Sequence, residues 1–141
     1  YEGTNGIQAM DLVNRKLSDG GRAAFKIIDD FMNVEKACLN SNLFEKDAIK
    51  DFKASCSDLT DAVNWMLKVD DINDRYAGAT AFLRAFSLVL GGYYLLRCAN
   101  ISRDPDRVAL AHFYIYHLLP EVHAEVKSAC RGSQALYCVK I

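Results

Sequence analysis

The chain has 141 residues, 51% of them hydrophobic, with 17 basic residues against 18 acidic ones. That length and apolar share suit one domain with a substantial core and argue against disorder, while near-neutral charge leaves no electrostatic footprint for nucleic acid or an anionic membrane. Five cysteines, Cys38, Cys56, Cys98, Cys130 and Cys138, form no close pair, so neither a disulfide framework nor a zinc knuckle is suggested, and a reducing, cytoplasmic setting is expected.

Only Pro105 and Pro120 interrupt the chain and β-type alternation is scarce, so the expected class is all-α, an up-and-down antiparallel helical bundle. The opening octet, Tyr1 to Gln8, lacks the cationic, apolar and small-residue order of a secretory leader. The first helical pattern then sets Ile7, Met10, Val13 and Leu17 on one stripe, and Gly20-Gly21 lets the chain turn. A second pattern, Phe25, Ile28, Phe31 or Met32, and Leu39, ends at Asn40-Ser41-Asn42.

The third segment has the clearest rhythm. Ile49, Phe52, Cys56, Leu59, Val63 and Met66 alternate steps of three and four, the seam of antiparallel bundle packing, which predicts a helix over 44–70. Asp70-Asp71-Ile72-Asn73-Asp74 competes for backbone hydrogen bonds and predicts a turn and a new N-cap. The next helix, over 74–100, carries Tyr76, Ala79, Leu83, Phe86, Leu90 and Tyr93, with Gly91-Gly92 implying a close neighbour. Its longest apolar run, Ala85 to Leu96 between Arg84 and Arg97, falls short of the ~20 residues that cross a bilayer.

Asp104-Pro105 reads as an N-cap followed by proline at the first helical position. The last helix, over 105–131, would bury Val108, Ala111, Ile115, Leu118, Val122 and Val126, with a kink near Tyr116 imposed by Pro120. Arg131-Gly132 supplies a stop, after which Ser133 to Ile141 packs back as a short tail.

Several groups invite a chemical reading, and each has a plainer one. His117 and Glu121 share the four-residue spacing of one helical face, but the Glu-x-x-His pairs of a carboxylate-bridged bundle site are missing, so no metal is expected. Asp70, Asp71, Asn73 and Asp74 echo a calcium loop, yet Ala81 and Phe82 stand where the terminal acid belongs, and a helix-capping turn is the better reading. Tyr93, Tyr94, Phe113, Tyr114 and Tyr116 would line a cavity or pack the core, and helical spacing favours the core. The cysteines look structural.

The octet is different. Tyr1-Glu2-Gly3-Thr4 followed by Asn5-Gly6-Ile7-Gln8 resembles the late catalytic segment of flavin-dependent acyl-CoA dehydrogenases. The likeness continues through Asp11-Leu12-Val13, Arg15-Lys16-Leu17, Tyr76-Ala77, Leu83-Arg84 and Gly91-Gly92-Tyr93, which look like the branch with an extra C-terminal helical domain, similar to 3-methylmercaptopropionyl-CoA dehydrogenase. The resemblance implies that the chain is the last part of a longer polypeptide. Residues 1–39 would end the dehydrogenase's C-terminal helical domain, and 40–141 would form an added bundle.

It further implies that Glu2 is the base that removes the α-proton of an acyl-CoA thioester, its backbone N–H helping to polarise the thioester oxygen. Thr4, Asn5 and Gly6 would touch FAD, and Tyr1, Glu2 and Gly3 would border the substrate. Many relatives carry glutamine where this chain has Gly6, so one side-chain contact is replaced by backbone. Electron-transfer flavoprotein as acceptor and a homo-oligomeric parent follow from the same likeness. By itself the octet also reads as a simple capping turn, with Thr4 or Asn5 as N-cap and Glu2 in water. A stand-alone helical interaction or oligomerisation module is the alternative reading of the whole.

Overall fold

The computed structural model describes residues 2–138, with Glu2 described by its backbone alone. Tyr1 and the Glu2 side chain, on which two of the expected roles fall, lie outside the described residues, as do residues 139–141. The described chain is all-α. It comprises α1 (Glu2–Asp11), a π-helical turn (Leu12–Lys16), α2 (Arg22–Ser41), α3 (Lys46–Lys68), α4 (Ile72–Ser102), α5 (Pro105–His117), α6 (Glu121–Ala129) and the single turn α7 (Gln134–Tyr137).

Boundaries follow local chemistry. Gly20 and Gly21 both take φ +75°, which a side chain would resist, and there the chain leaves the first helix. The Asp71 carboxylate accepts from the Asn73 N–H at 2.8 Å to start α4, and Asp104 accepts from the Asp106 N–H at 2.9 Å to start α5 behind Pro105.

Successive long helices run up and down. Asp58 meets His123 and Arg84 meets Glu121, while the Tyr114 hydroxyl donates to the Leu88 carbonyl, which sets α5 and α6 antiparallel to α4. The Asn14 amide donates to the Tyr76 hydroxyl at 3.2 Å, and Ile7 and Leu83 line one cleft, so α1 also runs antiparallel to α4. All six predicted seam positions of α3, from Ile49 to Met66, are buried. They meet Phe31 of α2, Phe82 and Val89 of α4 and Ile115 of α5 in one continuous core.

The helix α4 is the centre of the molecule, touching α1, the π turn, α2, α3, α5 and α6. By length and composition alone it is apolar enough to cross a membrane, although the apolar run within it is short. Here its apolar surface is divided among neighbours. Of the predicted stripe only Ala79 is fully buried, while Tyr76, Leu83, Phe86, Leu90 and Tyr93 are half-buried; the deepest line runs from Ala79 through Phe82, Ala85, Val89, Gly92, Leu96 and Ala99. A helix wrapped on most sides carries little periodic contrast from which its phase can be read.

Three other expectations are corrected. Ile7 and Met10 are exposed, and Ala9 joins Val13 and Leu17 in the core, because each three-residue step falls about 60° short of a full turn and walks off the face. Leu39 is likewise exposed and Cys38 buried in its place. Pro120 does more than bend the last helix: α5 stops at His117, and the Leu118 and Leu119 N–H groups both close onto the Tyr114 carbonyl at 3.0 Å before α6 begins.

Candidate functional site

Residues 2–8 of the octet lie on α1, which is held by buried Ala9 and, just beyond it, by buried Val13 and the bond from Asn14 to Tyr76. Because α1 is antiparallel to α4, its start points toward the C-terminal half of that helix. Helical geometry leaves the N–H groups of the first turn without intrahelical acceptors, a natural place for an anion. Thr4 and Asn5 are exposed and sit inside the helix, so neither is its N-cap.

Gly3 and Gly6 are informative. Each costs the helix up to about 1 kcal/mol relative to alanine, yet among the described residues a Cβ on either would meet nothing within 4 Å beyond its own chain neighbours and helix backbone. No packing need among the described residues explains them. Just beyond, Asp11 and Arg15 form a two-pronged ion pair at 2.6 and 2.8 Å, and the guanidinium holds the Asp11 carboxyl below its ordinary range. Ile7, Gln8, Asp11, Leu12, Arg15, Lys16 and Leu83 line a cleft of about 480 Å³ along this part of α1.

The other candidates resolve into ordinary contacts. His117 and Glu121 are separated by the break at Pro120, and Glu121 accepts from Arg84 at 2.6 Å while Glu125 pairs with the same guanidinium. Among the described residues no three His, Cys, Asp or Glu side chains gather as a metal site. His123 lies 3.3 Å from Asp58 on the surface. Asp71 caps α4, and Asp74 reaches the tail by accepting from the Ser133 N–H and hydroxyl.

The five aromatic residues go to separate contacts. Tyr93 packs on Phe31 at 5.0 Å, Tyr94 and Phe113 are more than half exposed, and Tyr116 donates to Glu45 at 2.9 Å. Tyr114 leans over Gly91, where burial pushes its hydroxyl pKa up. Burial pushes the Cys38 thiol up to about 11 and, with the charge of Glu35 added, Cys56 up to about 12, so neither is an available nucleophile.

Comparison with known protein families matches residues 24–139 to the family described as acetyl-CoA dehydrogenase C-terminal like. The chain belongs to that family. No curated protein and no solved structure matches it. The family match covers α2 to α7 and leaves α1 and its octet outside. This acyl-CoA dehydrogenase C-terminal-like domain is the helical bundle itself, so the family assignment rests on the sequence of the bundle and not on a ligand site.

Two features of the domain were missed from sequence. Gly78 lies against the Ala129 backbone, so that a Cβ would collide with its carbonyl; an Ala-Gly-Ala stretch in mid-helix was the available signal. The role of Asp74 had no signal, since its partner Ser133 is 59 residues away.

Proposed function

We propose that the chain is the C-terminal part of an FAD-dependent acyl-CoA dehydrogenase of the branch with an additional helical domain, similar to 3-methylmercaptopropionyl-CoA dehydrogenase. The parent oxidises a saturated acyl-CoA to its trans-2-enoyl form. The observation that carries this reading is the family match, which begins shortly after an octet with the order of the dehydrogenase catalytic segment. The unfilled space at Gly3 and Gly6 fits a ligand approaching the backbone of α1.

In this reading Glu2 takes the α-proton of the thioester. An exposed carboxylate is too weak a base for that proton, so the upstream domains must bury Glu2 and raise its pKa, and its backbone N–H donates to the thioester oxygen as negative charge develops. Tyr1 and Gly3 border the acyl group. Thr4 and Asn5 hold FAD through their side chains, with the free N–H of Thr4 and the backbone of Gly6 beside them. When bound, the flavin supplies the acceptor for the hydride leaving the β-carbon. Electrons pass on to electron-transfer flavoprotein, and the parent is a cytoplasmic homo-oligomer.

Residues 1–39 complete the catalytic helical domain and 40–141 form the added bundle, the two sharing one core through α2. The test is Glu2→Gln in the polypeptide that includes the upstream domains. Flavin absorbance should persist while exchange of the substrate α-proton falls at least about a hundredfold; unchanged exchange rejects Glu2 as the base. The 141-residue chain alone should purify without flavin and without activity. A second reading, a stand-alone interaction module, draws on the exposure of Leu110 at 52% and Phe113 at 55% on α5; a coding region that starts at the octet would favour it.

A further inference from the structure

The groove between α2 and α4 ends in a hollow of about 340 Å³. Asp30 and Val34 of α2 form part of one wall, and Tyr93, Arg97, Asn100 and Ile101 of α4 form the other. The Arg97 guanidinium is held in place, since its Nη1 donates to the Tyr93 hydroxyl at 3.2 Å and its central carbon stands 5.9 Å from the middle of that ring. Tyr93 in turn packs on Phe31 at 5.0 Å. Yet among the described residues neither Arg97 nor Asp30 has an ion-pair partner, although the two border one hollow. The Asn100 side-chain oxygen is buried beside it with no donor, an unmet group of the kind that folding normally avoids.

We propose that the hollow binds a free α-amino acid with an uncharged amide side chain. An unpaired cation and an unpaired anion on one cavity select a zwitterion, because a simple carboxylate would face Asp30 and a simple amine would face Arg97. The ligand ammonium pairs with Asp30, and its carboxylate takes the N–H groups of Arg97 that Tyr93 leaves open. The register of the helices then decides the side chain. Tyr93 lies beside Phe31, so Asp30 is about level with it, and Asn100 stands about two turns, or 10 Å, farther along α4. An extended glutamine with a hydrogen bond at each end spans about that length. Its two methylenes lie on Val34 and Ile101, and its amide N–H meets the side-chain oxygen of Asn100.

The hollow shares no residue with the cleft along α1, and its test reads binding alone, so it stands or falls apart from the octet. Titration calorimetry of the 141-residue chain with L-glutamine should give saturable binding with a Kd of about 1 mM. L-glutaminamide, which lacks the carboxylate, and glutaramate, which lacks the ammonium, should each bind at least about tenfold more weakly. Arg97→Gln should weaken L-glutamine to the level of L-glutaminamide, and Asp30→Asn to that of glutaramate. Both side chains are exposed, so the helical circular dichroism spectrum should be unchanged. Asn100→Leu should remove the preference for L-glutamine over L-norvaline, which has no amide. Absence of saturable heat up to about 20 mM L-glutamine would overturn the proposal. Equal affinity for glutaramate or L-glutaminamide would overturn it too, since the two charges would then go unread.

Discussion

One oxygen of the Asp74 carboxylate accepts both the backbone N–H of Ser133, at 2.7 Å, and its hydroxyl, at 2.6 Å. The pair ties the first turn of α4 to the chain leaving α6, where Gly132 takes φ +73° against the same carboxylate. These bonds hold the Asp74 pKa below its ordinary 3.8.

A depressed folded-state pKa means that the unfolded chain takes up its proton first as acid is added, so this contact stabilises the fold above about 3.8 and is lost as pH falls through the lower folded value. Asp74→Ala should therefore melt at a lower temperature than the parent near neutrality. The gap should narrow progressively below pH 3.8, as read by circular dichroism melts. A gap constant with pH would mean that carboxylate charge plays no part.

Gly78 is required by its neighbour. Its missing side chain lets α4 lie against the Ala129 carbonyl of α6, an atom that cannot swing aside. Gly78→Ala should cost about 1–3 kcal/mol in denaturant unfolding, the helix-propensity gain of alanine notwithstanding. Unaltered stability would show that α4 and α6 can separate freely.

Gly3 and Gly6 should behave in the opposite way. With open space around each, alanine meets nothing and favours the helix, so the 141-residue chain should gain up to about 1 kcal/mol per substitution. In the polypeptide with its upstream domains, the same changes should weaken FAD retention, measured as flavin absorbance per protein after gel filtration. Full retention by both variants would remove these glycines from the cofactor site.

The cysteines divide by burial. At about pH 8 an aromatic disulfide reagent should titrate Cys98 and Cys138 within the native protein, while Cys38 and Cys56 wait for unfolding. Counting thiols released with and without denaturant checks this. Native reaction at Cys56 would show that the α3 seam opens.

Much was legible from order along the chain. The rhythm from Ile49 to Met66, the caps at Asp71 and Asp104 and the turn at Gly20-Gly21 are governed by contacts within a few residues, so sequence determined the helices and their count up to the proline break. Pro120 shows the limit: a missing N–H predicts disruption, but whether the helix bends or ends depends on how buried Leu119 seats in the core. Tertiary structure alone decided which face of α4 lies deepest, because a helix surrounded by neighbours has apolar residues on most sides. It also decided which glycines are indispensable and that Asp74 answers to Ser133, since those partners are brought together only when separate helices pack.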